Sequence, residues 1–571
     1  MAEYPWGAGV GISKIQSFLL KITYMRSGLF VIGLLCLINA AAQDSVKMSQ
    51  IIGTEKMFGL HFTQPKRDSM VSILTDKLKT YHYLHEQNLN NDLPLSNWYN
   101  PVLPGMEIPR KQEPLIYKEP IQVDLPKDRS QLAFYSIPQL ASLIKHRKIT
   151  SEQLTRFYLD RLKKYGPGLH CVVELTEEIA IREARKADAE MAAGKYRGPL
   201  MGIPYGIKDL FAVAGTHTTW GTPPYKNQEI KQTAFVATQL ERAGAVLIAK
   251  LSLGELAMDD VWFGGLTRNP WDTTKGSGGS SAGSASATAA GLVPFAIGTE
   301  TYGSIVDPSM RCGVTGLRPT YGSIARTGAM ALSWSSDKVG VLCRSAEDAA
   351  LVFYYIHGAD ATDASSIPFA FNYNGEVDVK KLKIAYVSNY IDTLAASSTE
   401  KQTLVALKEM GAQLIPFVFP DNLHGDEMLS LIIGVESAAA FDQLTLSSKD
   451  DQMVQQNKDR WPSVFRTSQF VPAVAYVNAC RIRYEIMKKM DPLIDSYDII
   501  ITPPETGDQL AITNLTGNPS VTLPNGFGSD GMPASISFIG KHFGEAILLA
   551  FAKKYQEHTG FYLKHPPGFL P

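Results

Sequence analysis

The sequence predicts an α/β protein, one large sandwich of helices around a largely buried sheet, preceded by an N-terminal helical arm. Three observations point there. Short apolar runs of strand length recur at Val246 to Ala249, Leu292 to Ile297, Leu382 to Val387, Leu414 to Val418 and Ile499 to Thr502. Between or after them lie helical patterns, Thr233 to Ala243, Ala346 to Ile356 and Glu545 to Gln556, and such alternation builds layers with the sheet inside. Charged residues make up only 19% of the chain against 45% apolar, and no repeat or Pro/Ser linker divides Ser136 to Pro566, so one big domain fits better than several.

Taken in order, the chain opens with an address. Met25 and Arg26 precede an apolar run from Leu29 to Ile38 and then Ala40-Ala41-Ala42, the positive, apolar, small-residue order of a secretory signal. The run is about half the roughly 20 apolar residues of a membrane span, so residues 1–42 read as leader and signal peptide, cleaved near Ala42, with Met25 expected to be the true start because a signal rarely follows a 24-residue leader. The expectation is an exported protein, periplasmic or secreted, with no stable membrane anchor after cleavage. Residues 43–126 read as a helical arm from Ser69 to His85 followed by an extended connection through Pro101, Pro104, Pro109 and Pro114.

The main domain is expected over 127–571. Pro138 can open a helix, and Thr150-Ser151-Glu152-Gln153 fits a capping box ahead of Leu154, Phe157, Tyr158 and Leu162, with Gly166-Pro167 as the expected stop. A second helix, Thr176 to Ala193, leads into Gly198 to Asp209, a strand-like segment carrying Lys208 near its end. With 55 Lys+Arg against 56 Asp+Glu, the formal charge is -1, which disfavours nucleic acid as a partner. After the leader the cysteines are Cys171, Cys312, Cys343 and Cys480, at no metal-ligand or CxxC spacing, so neither a metal centre nor a disulfide scaffold is expected.

Residues Gly276 to Gly291 read GSGGSSAGSASATAAG, and no charge occurs from Gly276 to Thr299. Such composition suits a flexible linker, but this run is embedded between apolar segments, where small residues let backbone approach backbone or substrate. The GxxxxGK[ST] phosphate loop is absent because Lys275 precedes the glycines. Gly279-Ser280-Ser281-Ala282-Gly283 matches G-x-S-x-G, yet the residues before it, Asn269 to Lys275, are not the strand that a nucleophile elbow needs. Ser142 and Lys145 fit SxxK without its companion motifs, a chance match. Only His217 of the 11 histidines lies between Gly198 and Arg344, so serine chemistry here calls for another base. A desolvated lysine can serve, and Lys208 sits at the end of an apolar strand.

The runs GIPYGIKDLFAVAGTHTTWGT, RNPW, GGSSAGSASATAAGLVPFAIGTETYGSI and RCGVTGLRPTYGSIARTGAMALSWSSDKVGVLCRSAEDAALVF resemble the amidase signature family, and the similarity reaches from about Ser136 to Pro566. The resemblance implies a single large α/β/α sandwich around a mixed central sheet. It also implies a Ser-cisSer-Lys triad: Lys208 as general base, Ser280 as bridging proton relay after a cis peptide at Gly279, and Ser304 as nucleophile. Backbone NH groups of Thr301, Tyr302, Gly303 and Ser304 would hold the oxyanion, and Ser281 would support the relay. The implied activity is hydrolysis of a small-molecule carboxylic acid amide through an acyl-serine, without metal or cofactor; a homodimer is left open.

Three positions depart from the family's DTGGSIR-like pattern. Glu300 stands for Asp, Tyr302 for Gly and Val306 for Arg, so Glu300 needs a new partner, Arg311 or Arg318, and Tyr302 is expected to narrow the acyl pocket. Two other readings remain: a protein like the A component of glutamyl-tRNA amidotransferase, supplying ammonia from glutamine, and an esterase using Ser281. Asn514-Leu515-Thr516 matches a glycosylation acceptor and is read as chance.

Overall fold

The computed structural model describes residues 45 to 569, apart from 88, 94 and 121, so the leader expected over 1–42 lies outside the described residues. Contacts divide the chain into two units, Met1–Leu89 and Asn90–Pro571. In the first, the helices Met48–Phe58 and Gln64–Glu86 are joined by Gly59 in the left-handed region and tied by the Arg67–Glu55 ion pair at 2.8 Å. The helix expected from Ser69 begins five residues earlier because Pro65 occupies its first turn, where a missing NH costs nothing.

The second unit holds an eleven-stranded mixed sheet. Its first strands are β1 (Val172–Leu175), β2 (Pro204–Lys208) and β3 (Val246–Leu251). A separate hairpin follows, pairing β4 (Val261–Trp262) with β5 (Gly265–Leu266). The sheet then continues with β6 (Phe295–Glu300), β7 (Thr315–Arg318), β8 (Lys338–Cys343), β9 (Ile384–Val387), β10 (Leu414–Phe417), β11 (Ile499–Thr502), β12 (Ser520–Phe527) and β13 (Pro533–Ile539). The sheet order is β1-β3-β2-β6-β8-β7-β12-β13-β11-β9-β10. Pairs β2·β3, β2·β6, β9·β11 and β9·β10 are parallel, and the rest are antiparallel. All residues of β2, β3, β6, β7, β8 and β11 are buried, the pattern of strands covered on both faces by helices.

Residues after Asn90 run as an extended strap on this unit. Asn91 grips the backbone of Ala331 twice, accepting from its NH at 2.7 Å and donating to its carbonyl at 2.9 Å, and Gln112 does the same at Phe371. The capping box at Thr150 forms as expected, but the helix runs Ser151–Leu169, through Gly166-Pro167 rather than stopping there. Gly166 lies so close to Val172 that a Cβ would meet Cγ2 at 3.0 Å, so this turn is held by β1 packing against it. Among the described residues no helix is long and apolar enough to cross a membrane, and the four cysteines are free.

The Gly/Ser/Ala run is half loop and half helix. Residues Ala282–Ala289 form a helix whose eight residues are all buried. Its closeness to the sheet explains the small side chains. A Cβ on Gly283 would stand 2.5 Å from both Cys171 O and Ser252 N, and a Cβ on Gly298 in β6 would meet Ser281 Oγ at 2.6 Å. The helix thus delivers Ser280 and Ser281 to the ends of β2 and β6.

Candidate active site

Lys208 is the last residue of β2, wholly buried, and its neighbour strand β6 ends at Glu300 before a turn that carries Ser304. Lys208 Nζ reaches Ser280 Oγ at 2.8 Å, Ser281 Oγ at 3.2 Å and Thr299 Oγ1 at 2.9 Å. The Gly279–Ser280 peptide is cis. A Cβ on Gly279 would collide with Asp259 O at 1.8 Å, so only glycine fits before the bridging serine. Ser304 is 7% exposed, and its carbonyl accepts from Ser281 N at 3.0 Å, which draws its turn against the Ser280–Ser281 segment.

The electrostatics favour a neutral lysine. Burial pulls the Lys208 ammonium down to about 7, against weaker opposing fields from Asp337 and Glu300. Its polar partners at hydrogen-bonding distance are hydroxyls and the Thr299 carbonyl, none of them a carboxylate. The nearby carboxylate of Glu300 is otherwise engaged: Oε2 accepts from Ile305 N and Val306 N, and Oε1 accepts from Arg318 Nη1 and Asn514 Nδ2, each at 2.8 to 3.0 Å. Burial alone would raise the Glu300 carboxyl, but Arg318, Lys338 and the two amides outweigh it and hold it below its ordinary value. Of the two partners expected for Glu300, Arg318 is therefore the one found, while Arg311 pairs with Asp307.

Ser281 and the 301–304 turn adjoin this centre. Ser281 Oγ donates to Thr299 O at 3.0 Å and accepts from Thr299 N at 3.1 Å besides Lys208, so it is engaged on every side and buried, unsuited to attack a substrate. Thr301, Tyr302, Gly303 and Ser304 form one turn, and among the described residues no protein acceptor takes the amide hydrogens of Tyr302, Gly303 or Ser304. The Tyr302 hydroxyl donates to Asp426 at 2.7 Å. His217 pairs with Glu174, and Lys145 with Glu119, so neither enters the site. Asn514 is fully buried in the Glu300 brace, which removes it as a glycan acceptor.

Several supports escape sequence reasoning. Asp307 Oδ2 accepts from Gly279 N at 2.8 Å and Asp260 Oδ2 from Gly278 N at 2.9 Å, fixing the loop that ends in Ser280. Asp337 accepts from the Thr301 hydroxyl at 2.7 Å, and buried Lys338, whose ammonium desolvation pushes far down, faces Thr301 O at 3.5 Å. These residues come from separate segments, and only Asp307, three places after Ser304, had a position that could have drawn notice. A cavity of about 290 Å³ reaches Thr299 and Thr301, with Leu210, Ala257, Met330 and Leu332 among its walls.

The family model described as Amidase matches residues 153–549. The chain is 31% identical over 481 residues to the A subunit of glutamyl-tRNA(Gln) amidotransferase from Legionella pneumophila (strain Paris), covering 76% of this chain and 99% of that one. It is similar in structure to the native peptide amidase of Stenotrophomonas maltophilia, with TM-score 0.69 and 27% identity over 77% of this chain and 99% of that one. A bacterial aryl acylamidase of the amidase signature family shares the fold, with TM-score 0.66 and 20% identity over 75% of this chain and 98% of that one. A serine held against a buried, hydroxyl-bound lysine, on a sheet shared with these enzymes and under a family model spanning most of the chain, makes this protein a member of the amidase signature family.

Proposed function

We propose that this protein hydrolyses small carboxylic acid amides to acid plus amine or ammonia, with Ser304 as nucleophile, Ser280 as relay and Lys208 as base. The observation that carries the reading is Lys208: wholly buried, depressed to about 7 and 2.8 Å from Ser280 Oγ. Neutral Nζ takes the Ser280 proton as Ser280 takes that of Ser304, and Ser304 Oγ bonds to the amide carbon. The developing oxyanion meets the amides of the 301–304 turn, where one lost donor typically costs roughly 100-fold. The C–N bond then breaks, the proton passes back through Ser280 to the leaving nitrogen, and water repeats the sequence on the acyl-serine to release the acid. The cavity beside Thr301 offers room for a small acyl or amine group.

Activity on a panel of aliphatic, aryl and peptide amides tests this. Ser304→Ala is expected to abolish turnover and Lys208→Ala nearly so; full activity in either purified variant would refute the assignment. An amidotransferase-like role is the second reading, favoured by the Legionella relative. Copurifying subunits and glutamine-dependent transamidation would establish it. The esterase reading through Ser281 loses its basis, because that hydroxyl is held by Thr299 and Lys208. We also propose export, from the Arg26, Leu29 to Ile38 and Ala40 to Ala42 pattern; a mature N-terminus well before Gln43 would count against it.

A further inference from the structure

We propose that Tyr302 and Asp426 form a latch that ties the oxyanion-binding turn to the start of the helix Gly425–Ala440, making both of them positioning residues. The inference rests on the amide hydrolysis proposed above. Tyr302 is the middle of the turn whose amides face the developing charge, and its side chain leaves the turn altogether: Oη donates to Asp426 Oδ1 at 2.7 Å. Asp426 opens the helix Gly425–Ala440, far away in sequence.

That helix end is itself fixed. The Asp508 carboxylate accepts from Gly425 N at 2.8 Å and Asp426 N at 2.9 Å, so the two residues at the helix start cannot drift. Asp508 in turn precedes the helix Gln509–Thr516. From this helix Asn514 donates to Glu300, at the base of the turn, and Leu510 lies over Gly303, where a Cβ would stand 3.5 Å from Cδ2. The contacts close a circuit: Glu300 to Asn514, along the helix to Asp508, across to the Gly425–Asp426 backbone, and from Asp426 back to Tyr302. The turn from Glu300 to Tyr302 is one side of that circuit, and the Tyr302 hydroxyl is the link that joins its free end.

A glycine at 302 cannot make this link, so here the geometry of the oxyanion donors depends on the helix Gly425–Ala440 as well as on the turn. Displacing a donor by a fraction of an ångström weakens transition-state binding much more than ground-state binding, because the full charge appears only in the transition state. The latch therefore acts on kcat and leaves KM nearly alone.

The test uses the purified full chain, an amide substrate from the panel and a fluorophosphonate probe. The probe forms a Ser304 Oγ–P bond with loss of fluoride and needs the same oxyanion donors. Tyr302→Phe removes only the hydroxyl, and Asp426→Ala only its acceptor. Each is expected to lower kcat and the labelling rate about 10-fold, with KM within about twofold of wild type. The double variant is expected to be no worse than either single one, and Asp426→Asn, which keeps an acceptor oxygen, to retain most of the rate. Wild-type kcat and labelling in Tyr302→Phe, or losses that multiply in the double variant, would overturn the latch alone. A wild-type protein that neither turns over nor labels at Ser304 would overturn the hydrolase reading and the latch with it. Because the two variants break one bond from opposite ends, misfolding of one leaves the other as the test.

Discussion

Lys208→Met should make the protein inactive and more stable, and the size of the second effect should depend on pH. Lys208 has an ordinary value of 10.5 and is drawn down to about 7 in the folded protein. Protonation therefore opposes folding. The cost is absent above about pH 10.5, grows by about 1.4 kcal/mol per unit as pH falls, and levels off below about 7 near 5 kcal/mol. A methionine side chain would not carry this cost, although Ser280, Ser281 and Thr299 would each lose a partner at roughly 1 kcal/mol apiece. The balance is a gain of about 2 kcal/mol at pH 6 that shrinks through pH 8 and reverses by pH 10. Urea unfolding of both proteins from pH 6 to 10 measures it. In wild type, kcat/KM should rise with pH through an apparent value near 7, since about half of Lys208 is neutral there, against roughly one molecule in 3,000 for a solvated lysine. A stability difference that ignores pH, together with a rate profile still climbing above pH 9, would show that Lys208 is not a desolvated base.

Three further outcomes follow from buried polar groups. Ser281→Ala should leave Thr299 N unpaired inside the protein, costing about 1–3 kcal/mol in denaturant unfolding, while fluorophosphonate labelling at Ser304 persists; loss of labelling with an intact fold would reassign the nucleophile. Arg318→Ala should strand the Glu300 carboxylate beneath the nucleophile turn, at about 3–5 kcal/mol, a loss visible in Tm and incompatible with an unchanged melting curve. Asp491 is buried with both carboxylate oxygens unpaired, and burial raises its carboxyl to about 8. Ionisation opposes folding there, so the cost grows as pH rises from about 4 to 8, and Asp491→Asn should stabilise the protein more at pH 8 than at pH 5 by up to about 4 kcal/mol; equal effects at the two pH values would contradict it.

Much of the fold was legible because its central strands are apolar runs punctuated by helices: β3, β9, β10 and β11 all lie where the runs placed them, within a few residues. What escaped has physical reasons. β8 begins with Lys338, whose charge hides a fully buried strand, and β12 carries Pro524, Asn525 and Gly526 and shifts register between Pro524 and Phe527. The long helix Ala473–Asp495 mixes charged and apolar residues along its length and buries only a narrow stripe. At the site, the approach of Lys208 to Ser280 was readable through the family resemblance. Their braces were not, since Asp260, Asp337 and Asn514 act through tertiary contacts that no local pattern announces.

The helix Ala282–Ala289 leaves this enzyme little latitude beside its proton path. With Gly283 nearly touching the Cys171 and Ser252 backbone and Gly298 pressed against the Ser281 side chain, almost any larger residue there would push the relay serine off its lysine. New substrate preferences must arise at positions outside this contact, where substitutions do not displace the proton path. Evolution of such a protein is lopsided: the segment that carries the proton path is frozen by packing, and selection works on the rest of the site.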